Sequence, residues 1–518
     1  MMSSFFLIWR NQYIRRLIRN LVCQDVFINV DDEYLCNNQQ YLSLFTNRDK
    51  LEYKISIRFM GKASDYLHIN TSNRYLINDV ELNIEEKFNL NEIHDGVHKL
   101  KLVVGPTVAG VGQLSDSITN LSLIINIDQD YVDIGDDSLP TVVQQVSSNL
   151  PCKLQELHFR NIGCIQSTCI LPLSLTDLNY GSNYSGFKWL VVPPNRVYKN
   201  CVLDLDSIES FQWLVENKFI CNVNINLSIV PLLKSQQLPS HVTEVHLRRG
   251  IVEPDLLLPQ TVEYLHFSNY GTPFSHISHL KLLYIYDEYP IKLEKGVLPP
   301  SIESLNLTYN QPLEPGVLPK QLTSLYLYTF NLPLCVNVLP SSLTDLYLGY
   351  FNQPLNAFVL PQKLKKLCLH MFQQPTFLRN SLPVSLTNLT LYKFKGSFDQ
   401  CQPLDNLKKL HVYSLVPSLA GLLTNVKKLD LWVDSKIDDP SGACLVNTSI
   451  ESLNLISKRF STFYPNSFPP TIKYLSIVNV VIETSNVIPN SCRYLKSRNR
   501  EIDPKYIPPS ARYYKSIQ

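Results

Sequence analysis

The chain has 518 residues, of which 45% are hydrophobic and 18% charged, and the 47 Lys and Arg nearly balance the 45 Asp and Glu. That composition excludes a disordered chain and, with 17 Gly, a collagen-like one. A net charge of +2 supplies no global field towards nucleic acid or an anionic membrane, so any such affinity must be local.

Length alone suggests three or four globular domains at about 150 residues each. No apolar stretch approaches the ~18 residues of a membrane span, and Phe5 to Trp9 is too short and wrongly flanked for a secretory signal. Twelve scattered cysteines (23, 36, 152, 164, 169, 201, 221, 335, 368, 401, 444, 492) form no Cys-x-x-Cys pair. Reduced, mostly buried thiols in a cytoplasmic protein are the expectation.

Residues 1–24 place Phe5, Ile8 or Trp9, Tyr13 or Ile14, Leu17 or Ile18 and Leu21 at helical spacing, interspersed with Arg10, Arg15, Arg16 and Arg19. This basic amphipathic helix has three candidate roles: capping a stack of coils, docking an adaptor protein, or lying on a membrane surface. Residues 25–117 are assigned to an N-terminal capping region. Within it, GPTVAGVG at 105–112 has the glycine spacing of a phosphate loop but lacks the Lys-Ser/Thr that contacts phosphate. His94 and His98 have zinc-like i, i+4 spacing but no catalytic Glu, and Gly96 between them speaks against a helix.

Residues 118–241 carry irregular copies of an apolar pattern, opening at Ile118, Leu154, Leu175 and, weakly, Ile220. The acidic stretch Asp128, Asp130, Asp133, Asp136 and Asp137 fails the EF-hand spacing and reads as a solvated loop. From 242 to 490 the pattern is regular. L-x-x-L-x-L units open at Val242, Val262, Leu280, Ile302, Leu322, Leu343, Leu364, Leu386, Leu407, Val426, Ile450 and Ile472, about 21 residues apart, with fading copies at Cys492 and Ala511. Alternation within each unit is that of a strand with one buried face. The ~15 residues joining successive strands bring each back in the same direction, so the strands stack in parallel, one per coil. Leu-Pro before each strand and Asn-x-Pro after it oppose a helical return, which is expected to be extended or 3₁₀-like.

These units resemble the FNIP repeat, a leucine-rich-repeat relative. The resemblance rests on Phe351-Asn352-Gln353-Pro354 and Phe330-Asn331-Leu332-Pro333, with Tyr309-Asn310-Gln311-Pro312 and Phe372-Gln373-Gln374-Pro375 as near copies, and is specific over residues 298–398. It implies a mainly β, leucine-rich-repeat-like solenoid and an interaction surface, and it implies no activity. The repeated Asn either turns its amide inward to satisfy backbone groups coil upon coil, or only favours a turn before Pro.

Residues 491–518 hold seven basic side chains (Arg493, Lys496, Arg498, Arg500, Lys505, Arg512, Lys515) against Glu501 and Asp503, a local balance of +5. They read either as the polar outer face of a terminal repeat or as an electrostatic docking strip. No nucleophile elbow or cysteine signature accompanies these elements, and His276 and His279 fall in a return segment. The chain is therefore read as a non-enzyme without metal or cofactor, whose partners are proteins rather than nucleic acid.

If the strands stack as described, outward side chains form columns about 4.8 Å apart. One runs His246, His266, Tyr284, Asn306, Tyr326, Tyr347, Cys368, Thr390, His411, Asp430, Asn454, and the next Arg248, Ser268, Tyr286, Thr308, Tyr328, Gly349, His370, Tyr392, Tyr413, Trp432. Tyr284, Tyr286, Tyr326, Tyr328, Tyr347, His370, Tyr392, His411, Tyr413 and Trp432 are the candidate partner-binding residues. Cross-strand stacking that only stabilises the sheet is the competing role. A protein-interaction scaffold and a ubiquitin-ligase substrate receptor docking its adaptor through the N-terminal helix are the two function classes in play.

Overall fold

The computed structural model describes residues 11–126, 139–247, 258–267, 274–288, 292–437 and 445–516. The acidic stretch at 128–137, Phe5 to Arg10, Arg248, Ser268 and Cys444 lie outside them. The chain divides into two compact units, Met1–His246 and Leu247–Gln518.

In the second unit every pairing between successive strands, from Tyr264–Phe267 to Arg512–Ser516, is parallel. From Val262 to Cys492, strands begin two residues after the opening apolar residue, and the fading copies at Cys492 and Ala511 are full members of the ladder. Leu325, Leu327, Leu346 and Leu348 are buried, as the alternation requires. Among the described residues the returns are extended, with an α-helical turn at Leu419–Leu422 and a 3₁₀ turn at Pro504–Tyr506.

The Leu-Pro pair has a specific task. The proline carbonyl accepts a hydrogen bond from the amide of the opening residue three positions on, as in Leu322 to Pro319 (3.2 Å), Leu343 to Pro340 (3.1 Å) and Leu364 to Pro361 (3.1 Å). This closes a β-turn that aims the chain into its strand, and proline's missing amide costs nothing at the turn's first position. A hydroxyl in the turn then reaches the coil below: Ser342 donates to the Leu322 carbonyl at 2.6 Å, and Ser385 to that of Leu364 at 2.6 Å.

At the other end of the strand, the Phe-Asn-x-Pro residues build two parallel stacks. Phe330, Phe351 and Phe372 are fully buried, and their rings lie 6.4 and 6.2 Å apart, nearly coplanar in tilt at 4° and 2°. Tyr309 takes the same slot below them and accepts the Leu293 amide on its hydroxyl at 3.1 Å. Beside the rings runs an asparagine ladder: Asn310 Oδ1 accepts the Asn331 amide (2.9 Å), Asn331 Oδ1 that of Asn352 (2.8 Å), and Asn352 Oδ1 that of Gln373 (2.8 Å). The amides stay at the half-exposed edge rather than turning into the core, which the phenylalanines occupy. Gln353 and Gln374 add a second rung, donating to the Asn331 and Asn352 carbonyls at 3.1 and 2.7 Å.

The first unit has the same parallel pairing with less regular coils. Its ladder runs Phe27–Val30, Ser56–Lys62, Asp79–Ile84, Lys99–Val104, Asn120–Ile125, Glu156–Arg160, Asp177–Asn183, Tyr198–Leu205 and Ile220–Ile225. The coils therefore start upstream of residue 118. Ile77, Val97 and Tyr198 are openers that the sequence reading passed over, and residues 25–117 contribute four strands of the ladder. Returns here carry helices such as Ile208–Glu216, where no proline intervenes and Ser207 caps the first turn.

The helix Gln12–Val22 docks through its polar face. Arg16 pairs with Asp49 at 2.8 Å, Asn20 donates to Asp49 at 2.5 Å, and Arg19 lies over the Phe45 ring at 4.8 Å. Asn20 is 1% exposed while Val22 is 75% exposed, the reverse of what apolar spacing predicts. A buried carboxylate explains the inversion. Burial alone would push Asp49 up, but the bonds from Arg16, Thr46 and Asn20 hold it at about 2.

Candidate interaction face

Nine of the ten candidate residues gather into two clusters on the outward face of the second unit, and Tyr413 stands apart with Lys395 over its ring at 4.7 Å. The first cluster is built of tyrosines, with His266 stacked on Tyr284 at its edge (5.7 Å, 17°). Tyr284 packs on Tyr286 (4.3 Å) and Tyr328 (6.2 Å), and Tyr347 stacks on Tyr326 (5.9 Å, 25°) and meets Tyr328 at 5.5 Å. The Tyr284 hydroxyl donates to that of Tyr328 at 3.2 Å. Burial pushes the Tyr328 phenol above its ordinary range, so it stays neutral.

The second cluster alternates histidine with larger rings: His370 to Tyr392 (4.7 Å), Tyr392 to His411 (4.4 Å, edge-on) and His411 to Trp432 (6.5 Å). His411 Nε2 lies 2.9 Å from Asp434 Oδ1, which fixes the imidazole plane. Gly349 divides the clusters. A Cβ there would run into the Tyr328 carbonyl oxygen, so the column has a gap where the backbones approach. Except for Tyr286, which is exposed, the ten side chains are half-buried.

The columns themselves differ from expectation at two strands: Thr308 pairs with Glu288 across a bulge rather than with Tyr286, and a second shift follows at Trp432. Lys409 pairs with Asp430 and His411 with Trp432, so Trp432 rather than Asp430 continues the column of Tyr347 and His411. The apolar pattern at 407–426 is two residues short, and the strand Lys428–Val433 runs two residues longer to keep the 21-residue pitch of the ladder. A slip of two leaves every side chain on its own face. In the same column burial pushes the Cys368 thiol up to about 12, which removes it as a nucleophile.

On the last coils, where the sequence offered a basic docking strip over 491–518, the structure shows a second surface whose tyrosines and upstream lysines sequence reasoning did not single out. Tyr474 and Tyr494 stack at 5.0 Å and 2°, on the rim of a groove of about 680 Å³ that Lys408, Lys428, Lys496 and Tyr514 also line. The signal was the repeated basic-Tyr pair Lys473-Tyr474 and Arg493-Tyr494, which sits one position before the second apolar residue of its unit.

His94, His98 and Gly110 have structural roles. His94 donates from Nε2 to the Ile77 carbonyl (3.0 Å) and accepts from the Tyr66 hydroxyl at Nδ1 (2.8 Å), so both its nitrogens are engaged. His98 Nδ1 lies 3.0 Å from the Ser117 carbonyl. Gly110 of GPTVAGVG lets the strand pass the helix Thr141–Ser148, since a Cβ would come within 2.5 Å of the Val142 Cα. His276 and His279 are exposed.

Residues 309–351 and 336–371 match the family model of the FNIP repeat, so the chain carries FNIP repeats in this stretch. No curated protein matches the sequence. Among solved structures, the chain is similar to CroV588, a circular leucine-rich-repeat protein, at 18% identity and a TM-score of 0.41, covering 95% of this chain and 79% of that one. It is also similar to YopM from Yersinia enterocolitica (17%, 0.31, covering 79% and 91%) and to the functional domain of InlJ from Listeria monocytogenes (15%, 0.29, covering 66% and 69%).

Proposed function

We propose that this FNIP-repeat protein is a non-catalytic scaffold that holds a protein partner against the aromatic face between Tyr284 and Trp432. The observation that carries the reading is the pair of ring clusters, which are half-exposed and already locked by mutual stacking. Rings held this way lose little conformational freedom when a partner covers them, which is what favours tyrosine and tryptophan as interface anchors.

The test is affinity capture from its own cell extract with the full chain and with the triple variant Tyr326→Ala, Tyr347→Ala, His411→Ala. Loss of the captured partner with an unchanged circular dichroism spectrum supports the face as a binding site. A partner retained by the folded variant refutes it, and a variant that no longer folds assigns the rings to the sheet alone.

A second reading, a ubiquitin-ligase substrate receptor, draws on the first helix. With its polar face turned to Asp49, it leaves Tyr13, Ile18, Leu21 and Val22 exposed and available to an adaptor. Removal of residues 1–24 should then cost ligase subunits and leave other partners in place.

A further inference from the structure

The groove on the last coils shares no lining residue with the aromatic face above. Lys428, Ser452, Tyr474, Tyr494 and Arg512 stand in one register row across five parallel strands, and Asp430, Asn454, Ser476, Lys496 and Tyr514 in the adjacent outward row. Three lysines line the groove against one carboxylate, Asp430. Arg493 and Arg512 extend the basic surface along the chain. Glu451, the acidic residue closest in the register, is already taken by Lys473 (2.6 Å) and Lys427 (3.6 Å). Among the described residues no carboxylate pairs with Lys408, Lys428, Lys496, Arg493 or Arg512. Burial, then the neighbouring Arg498, pull the Lys496 pKa down, as befits a cation without a counter-ion. Between the charges, Tyr474, Tyr494 and Tyr514 are 51%, 41% and 52% exposed.

We propose that this groove binds an extended acidic segment of a partner protein, with carboxylates on Lys408, Lys428 and Lys496 and an apolar side chain against the Tyr474–Tyr494 pair. Strands about 4.8 Å apart put Lys428 and Lys496, three strands apart, ~14 Å from each other along the ladder, which an extended chain spans with two or three alternate carboxylates. Ser452, Asn454 and Ser476 supply donors and acceptors for its backbone. The uncompensated cations make the site selective for negative charge and speed encounter. A single-stranded nucleic acid fits the same charge less well. Tyr474 and Tyr494 already stack on one another, so no base can enter between them.

The test is fluorescence anisotropy on the full chain with a labelled peptide of Glu interspersed with Phe, beside the same peptide with Gln for Glu and an oligothymidylate. The expected result is binding of the Glu-Phe peptide that weakens with salt. It should fall about tenfold or more in Lys428→Glu/Lys496→Glu and several-fold in Tyr494→Ala, and stay unchanged in the Tyr326/Tyr347/His411 triple alanine variant. That last arm keeps the groove and the aromatic face separately falsifiable. Should the charge reversal fail to fold, the exposed set Lys408→Gln, Arg493→Gln, Arg512→Gln takes its place. Absent binding, equal binding of the Gln peptide, tighter binding of oligothymidylate, or wild-type affinity in the folded charge variants would each overturn the proposal.

Discussion

Two buried titratable groups in the first unit work against the charges they would normally carry. His94 is held neutral: burial, then the positive neighbours Lys50 and Arg74, depress its pKa to about 4, while its own bonds to Ile77 and Tyr66 need one protonated and one bare nitrogen. Lys50 is 3% exposed and gives its ammonium one acceptor, the Leu76 carbonyl at 2.8 Å, and burial lowers it to about 8. In both cases the unfolded chain takes up a proton more readily than the folded one, so stability rises with pH between the folded and unfolded values. For His94 that window is about pH 4 to 6.5, and for Lys50 about pH 8 to 10.5. At ~1.4 kcal/mol per pKa unit each group shifts stability by at most about 3–4 kcal/mol across its window. Urea midpoints measured against pH should climb through both, and His94→Gln should flatten the acid limb alone. An acid limb that keeps its slope in the variant would assign the effect to carboxylates instead.

At the scale of the coil, the return segment contains a position that the apolar pattern does not reveal. In seven coils the backbone turns left-handed two residues before Leu-Pro or its equivalent: Gly296 (φ 86°), Gly316 (82°), Asn337 (68°), Phe358 (62°), Asn380 (62°), Asn466 (66°) and Asn486 (64°). Six of these seven are Gly or Asn, the residues that adopt the conformation with least strain. Phe358 is the exception, and its ring is 58% exposed, so little packing offsets the strain. Phe358→Asn should therefore stabilise the chain by about 1 kcal/mol, read as a rise of roughly 1–2 °C in Tm. An unchanged or lower Tm would mean that the ring makes contacts worth as much as the strain. The turn was illegible in the sequence because Gly, Asn and Phe share no hydropathy class. Leucine, proline and Phe-Asn-x-Pro were legible because each repeats one chemistry in one slot. The slip at Trp432 was hidden for a related reason: the ladder counts residues between paired backbones, whereas the eye follows leucines, and at 407–426 the two counts differ by two. Upstream, Ile77, Val97 and Tyr198 open coils whose returns vary in length and carry helices, so no fixed period announced them.

For the molecule as a whole, a stack of coils differs from a globular core in how damage spreads. Each coil packs only on its neighbours, so stability is a sum of coil and interface contributions. The phenylalanine stack makes this testable, because Phe351 touches Phe330 on one side and Phe372 on the other and is fully buried. Phe351→Ala removes both ring contacts and leaves a cavity that extended backbone cannot easily close, at a cost of about 3–5 kcal/mol. The first unit has its own core, in which the strands Asp79–Ile84 and Lys99–Val104 bury Val80, Leu82, Leu100 and Leu102. Native-state hydrogen exchange should therefore speed up in Ser324–Leu327, Asp345–Leu348 and Lys366–Leu369, where the opening free energy falls, and stay at wild-type rates in Asp79–Ile84 and Lys99–Val104. Exchange that quickens equally in both units would show a single cooperative unfolding of the whole chain. Exchange confined to Asp345–Leu348 would show that the rings merely fill space within one coil and do not couple neighbours.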